Sequence, residues 1–150
     1  MAGILIIAHA PLATALRDCA AHVFSSLPVR VEAMDISADC DPAVVLEQAR
    51  HILSGLIENN GAIVFTDLFG ATPSNIAACL AEAGKIRVVA GVNLPMLMRT
   101  IGYRSEPLDM LVQKAVAGGT QGVVQVGASA PQNQSFPTDR HGTSRHDHSQ

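Results

Sequence analysis

The chain has 150 residues, of which 48% are hydrophobic and 15% charged, with a net charge of -3. One domain of this length buries a core without disulfides or a structural metal, and the acidic balance argues against a nucleic-acid binder, which shows a basic patch or stripe. Aromatic residues make up 3% of the chain, with no Trp and one Tyr, so stacking platforms for bases or sugars are not expected.

Ile4–Ala8 is a continuous apolar run that stops at His9. Short β-branched runs of this kind suit parallel strands covered on both faces. Pro11 follows where a helix can begin, with Leu12, Leu16, Cys19 and Val23 at helical spacing. Val29 to Ile36 reads as a second strand, Val29, Val31 and Ala33 alternating with Arg30 and Glu32. Asp41-Pro42 is an N-cap followed by Pro at the first helical position. Leu46, Ala49, Leu53 and Leu56 form the stripe of that helix, and Gly61 closes it.

Ala62–Thr66 is the third strand and stops at Asp67. Thr72-Pro73 opens a third helix carrying Ile76, Ala77 and Leu80, closed by Gly84. Ile86–Ala90 is a fourth strand, a helix starts at Pro95, and another spans Pro107 to Val116. Gly118, Gly119 and Gly122 are expected to frame a short last strand, Val123 to Val126. From Ala130 on, polar residues dominate and no apolar period remains, which predicts a domain over 1–128 and a disordered polar tail over 129–150.

Alternating strands and helices imply an α/β fold: a mainly parallel open sheet with helices on both faces. Ligands of such sheets bind beyond the carboxyl ends of the strands. His9 and Asp67 both lie there, each shortly before a helix start. If the order is flavodoxin-like, their strands are neighbours. A carboxylate beside an imidazole accepts Nδ1–H and leaves Nε2 as the nucleophile. The helix after Pro11 also offers amides and a positive dipole end to a phosphate. Asp67 taken alone reads first as an Asx turn or cap in a loop. The stretch Asp67–Asn75 says more: Gly70 permits a tight turn, Thr72 caps a helix, and Ser74 and Asn75 put polar groups in its first turn, an arrangement suited to phosphate oxygens.

His9, the pattern Asp67-x-x-Gly70-x-Thr72-Pro73-x-Asn75 and the run Ala90-Gly91-Val92-Asn93-Leu94-Pro95-Met96-Leu97 together resemble the mannose-family enzyme IIA domain of the bacterial phosphoenolpyruvate-dependent sugar phosphotransferase system. The likeness covers about residues 1–128. It implies a cytoplasmic homodimer of flavodoxin-like fold, with a last strand open to exchange between protomers. It also implies that His9 accepts a phosphoryl group from the phosphocarrier protein HPr and passes it to a IIB component. In this family the residue matching Asp67 orients the histidine, and the hydroxyl matching Thr72 helps bind the phosphoryl group. Gly70, Ser74 and Asn75 join Thr72 as phosphoryl-binding candidates. Two departures stand out: Ala10-Pro11 where the family has Gly after its histidine, and Ser74 where sugar-transporting members carry a bulky apolar residue.

No metal or other cofactor is expected, since phosphoryl transfer asks mainly for positioning and charge stabilisation and no carboxylate cluster is present to hold a metal. Met1 to Ala8 lacks a basic leader and is too short for a signal or a span. Cys19, Cys40 and Cys79 are scattered, with no Cys-x-x-Cys pair, and suit a reducing compartment. The expected location is therefore cytoplasmic, without membrane insertion. Two other readings stand beside the carrier: a regulatory sensor whose phosphorylated His9 changes a protein contact, and a receiver-like signalling domain phosphorylated on Asp67. The receiver class places acidic residues at the end of strand one; Ile7-Ala8-His9 stands there instead.

Overall fold

The computed structural model describes residues 1–26 and 28–127; the tail expected over 129–150 lies outside them. The strands are β1 (Gly3–His9), β2 (Val31–Ile36), β3 (Ala62–Thr66) and β4 (Ile86–Ala90). The helices are α1 (Leu12–Val23), α2 (Pro42–Leu56), α3 (Thr72–Ala78), α4 (Leu94–Gly102) and α5 (Leu108–Gln121). All strand pairs are parallel, in the order β2-β1-β3-β4. This is the expected flavodoxin-like α/β arrangement, with β1 and β3 side by side.

Burial explains the order. Ile4 to Ala8 and Ala62 to Thr66 are fully buried, so β1 and β3 occupy the centre, where both faces are covered. Ile4, Ile6, Ile63 and Phe65 pack with Leu16, Leu97 and Leu111 on one face. Leu5, Ile7 and Val64 pack with Val45, Leu53 and Ile76 on the other. Each such side chain contributes about 1.5–3 kcal/mol on burial, so a one-residue slip of the register would be heavily penalised.

Four boundaries differ from expectation. The second strand begins at Val31, because Arg30 adopts φ 60° and breaks the extended run before it. The third helix ends at Ala78, short of the buried Leu80. α4 starts at Leu94, one residue before the expected Pro95, and Asn93 caps it, its side chain accepting the Met96 N–H. The last helix runs through Gly118 and Gly119 to Gln121. Those glycines are contact residues: a Cβ at Gly118 would lie 2.8 Å from Arg99 Cβ, and one at Gly122 2.4 Å from Pro95 Cβ. They let α5 lie close against α4, a demand that reads in sequence like a chain break.

Val123 to Val126 forms no strand within the chain. β4 ends the sheet, and the segment lies in solvent, with Val123 and Val126 each 77% exposed. A strand needs a partner edge, and among the described residues none reaches this segment. Among those residues, too, no helix is long and apolar enough to cross a membrane.

Candidate active site

The β1–β3 register pairs Ile7 with Thr66. Each strand therefore delivers its next polar residue, His9 or Asp67, to the same edge of the sheet. Asp67 Oδ2 accepts the His9 ring Nδ1–H at 2.7 Å and the His9 main-chain N–H at 3.0 Å. Asp67 Oδ1 accepts the Leu68 N–H at 2.8 Å. Burial by itself would raise the Asp67 carboxyl. The hydrogen bonds from the His9 ring, the His9 N–H and the Leu68 N–H, with the attraction of the ring charge, outweigh it and hold the group below its ordinary value.

An ionised carboxylate only accepts hydrogen bonds, so the shared proton belongs to Nδ1. In the neutral ring Nε2 then keeps its lone pair. Exposure divides the labour: the His9 side chain is 51% exposed and that of Asp67 12%. The imidazole is presented outward and the carboxylate supports it from within.

The phosphoryl-binding candidates spread around the start of α3. Gly70 has φ 89° and is exposed, which lets the chain turn sharply between Asp67 and the helix. The N-cap is Ala71, in extended backbone, and not Thr72 as expected. Thr72 is the first helical residue, and both it and Asn75 are exposed. Ser74 is only 7% exposed, because the third position of this helix faces the sheet. It differs from Thr72 and Asn75 in facing inward.

Two features escaped the sequence reading. Asp35, at the end of β2, accepts both the Thr14 N–H at 3.1 Å and the Thr14 hydroxyl. A carboxylate thus already caps the first turn of α1, where a phosphate was expected to find free amides. Its signal was legible: Asp35 shares a strand face with Val31 and Ala33, a polar residue in an apolar row. The second is the tip beside Asp67, where Leu68 is 63% and Phe69 86% exposed. His22 and His51 lie on α1 and α2, away from the sheet edge that carries His9.

Comparison with known proteins bears on the family and the fold. The family described as PTS system fructose IIA component matches residues 3–116. The PTS system mannose-specific EIIAB component of Escherichia coli K12 is 33% identical over 82 residues, covering 53% of this chain and 25% of that protein. The fructose-specific EIIA component of Bacillus subtilis is 36% identical over 59 residues, covering 39% of this chain and 40% of that protein. The chain thus spans about a quarter of the E. coli relative's length. Among solved structures, component EIIA of the Streptococcus agalactiae phosphotransferase system superposes with a TM-score of 0.74 at 26% identity, covering 83% of this chain and 97% of that one. The mannose/sorbose-specific IIA subunit from Enterococcus faecalis shares the fold, with a TM-score of 0.73 at 21% identity and 87% and 98% coverage. With the match extending from the start of β1 into α5, the chain belongs to the PTS fructose IIA component family.

Proposed function

We propose that this protein is a phosphohistidine carrier of a sugar phosphotransferase system, accepting a phosphoryl group from phospho-HPr on His9 and passing it to a IIB component. The observation that carries this reading is the 2.7 Å contact between His9 Nδ1 and a mostly buried Asp67. In the neutral ring this contact leaves Nε2 as the nucleophile, on a side chain that is half exposed.

In the proposed step, Nε2 attacks phosphorus in line, the new N–P bond forms, and the donor's N–P bond breaks with its electron pair returning to the donor imidazole. Positive charge grows on the His9 ring as it does so. Asp67, held ionised and in place before reaction, stabilises that charge without reorganising. The Thr72 hydroxyl, the turn at Gly70 and the Asn75 side chain are the groups that would receive phosphoryl oxygens, with Ser74 contributing through its main chain. Transfer to IIB runs the same geometry in reverse.

The receiver alternative fares worse on geometry. Both Asp67 oxygens already accept hydrogen bonds, and the carboxylate is the less exposed member of the pair. The carrier reading includes a homodimer in the cytoplasm, in which Val123 to Val126 pairs with a second copy. The exposed β-branched residues and the outer edge of β4, which among the described residues pairs with no further strand beyond the Glu82–Ile86 bridge, support that pairing.

The test is phosphoryl transfer from phosphoenolpyruvate through enzyme I and HPr, with the chemical stability of the label followed. An acid-labile, base-stable label that disappears in His9→Ala supports the carrier. A base-labile label lost in Asp67→Asn points to the receiver reading instead, and no label from a cognate donor ends both.

A further inference from the structure

The run Ala90–Leu97 stands out in the sequence, yet none of its residues enters the transfer step. Its structure gives it work beside Asp67. Pairing of β3 with β1 ends at Thr66, and pairing with β4 ends at the same residue. Asp67 therefore sits one position past both ladders, where the main chain is ordinarily free to swing. Here it is not. Gly91 turns with φ 89°, and its N–H is shared between the carbonyls of Thr66 at 2.9 Å and Asp67 at 3.0 Å. The next amide, Val92 N–H, also reaches Thr66 O at 3.0 Å. Two consecutive donors thus clamp the carbonyls on either side of the Asp67 nitrogen, and the positive φ at Gly91 is a conformation that L side chains rarely adopt.

The clamp is itself anchored. Asn93 Oδ1 accepts the Met96 N–H at 2.9 Å, capping α4, while Asn93 Nδ2 donates to Gly119 O on α5 at 3.1 Å. The missing side chain of Gly119 makes room for this approach: a Cβ there would lie 2.6 Å from Met96 Cε and 3.4 Å from Asn93 Oδ1. Asn supplies both an acceptor and an amide donor on one short side chain, a pairing that an Asp cap lacks and a Ser or Thr cap is too short to use here.

We propose that Gly91 and Asn93 are positioning residues for the phosphoryl-transfer site: Gly91 fixes the main chain at Thr66–Asp67, Asn93 ties that clamp to α5, and together they aim the Asp67 carboxylate at His9 Nδ1. This rests on the carrier reading for its effect on rate, but not for its effect on the His9 ring. Misplacement of a supporting group by about 1 Å costs on the order of 100-fold in rate, so even a partial release is measurable.

The test variant is Asn93→Ser, which keeps a good helix cap but is too short to reach Gly119. Folding is checked by circular dichroism. The first readout is the ¹⁵N shifts of the His9 ring, recorded where the imidazole is neutral; they report which nitrogen carries the proton and need no phosphoryl donor. The wild type is expected to hold its proton on Nδ1, and Asn93→Ser to move both shifts toward a mixture of the two forms. The second readout is transfer from phospho-HPr, expected to fall about 10-fold in kcat with KM for the donor unchanged. A folded Asn93→Ser protein whose ring shifts match the wild type overturns the proposal. If Asn93→Ser does not fold, Gly91→Ala perturbs the clamp at its other end and is read in the same way. A wild type that accepts no phosphoryl group sinks the carrier reading, while the ring shifts still decide the role of the clamp.

Discussion

Asp67 holds His9 at two points with one oxygen, accepting the ring Nδ1–H at 2.7 Å and the main-chain N–H of the same residue at 3.0 Å. The main-chain contact fixes where β1 ends relative to β3, and the ring contact fixes how the imidazole leaves that end. Backbone register and side-chain orientation are thus set by a single carboxylate.

Removing the ring separates chemistry from folding. His9 lies at the rim and its side chain is half exposed, so His9→Ala is expected to fold and to unfold within a few degrees of the wild type. Asp67 keeps its bonds from the His9 and Leu68 main-chain amides in that variant. Phosphorylation should vanish altogether. Retained labelling in the variant would move the acceptor elsewhere.

Asp67→Asn tests the electrostatic part. An amide cannot balance a developing imidazolium, and loss of one preorganised stabilising group costs on the order of 10²–10³ in rate. Stability should respond to pH as well. The folded-state value of Asp67 is depressed, so its contribution is fully present above the unfolded carboxylate value of about 3.9 and is lost as pH falls through the lower folded value. Denaturant unfolding should show the wild type above Asp67→Asn at neutral pH, with the gap closing in strong acid. A gap that widens on acidification would contradict the depressed value.

The exposed tip makes a partner prediction. Phe69 is 86% exposed two residues from Asp67, and aromatic anchors dominate protein interfaces. Phe69→Ala should leave the thermal midpoint unchanged and raise KM for phospho-HPr by roughly 5- to 30-fold, the ~1–2 kcal/mol of a typical anchor. An unchanged KM would place docking on another surface.

Two glycines of similar appearance should respond in opposite directions. Gly55 lies in α2, and a Cβ added there would meet nothing within 4 Å, whereas one at Gly122 would lie 2.4 Å from Pro95 Cβ, part of a rigid ring. Gly55→Ala is expected to stabilise by about 0.5–1 kcal/mol. Gly122→Ala is expected to destabilise by about 1–3 kcal/mol through overpacking. Equal effects in chemical denaturation would mean that the α4–α5 contact is looser than its geometry.

These glycines also mark where local pattern stops being informative. β1 and β3 are legible because apolar runs end abruptly at His9 and Asp67, so the strands and the paired site residues emerge together. Nothing local distinguishes a glycine that breaks a helix from one that lets another helix approach, and α5 therefore extends past Gly118 and Gly119. The Asn93–Gly119 bond joins residues 26 apart, a relation set by packing that no periodicity encodes. Thr72 reads as a cap because Thr-Pro is common at helix starts; the turn at Gly70 instead gives that position to Ala71, moving the Thr72 hydroxyl into the first turn.

The segment Val123 to Val126 carries the strand composition without a strand, and that mismatch is testable. Val123 and Val126 are 77% exposed and Val124 49%, so replacing Val124 and Val126 with Lys removes little packing from a single chain. If the segment pairs with a second copy, the same change places charges in a paired, apolar strand and opposes association. Light scattering should then give twice the chain mass for the wild type and the single-chain mass for the double variant, at the same helix content. Truncation after Ala130 should leave both the mass ratio and transfer unchanged. A wild type that scatters as one chain, or a double variant that still pairs, removes this segment from the subunit contact.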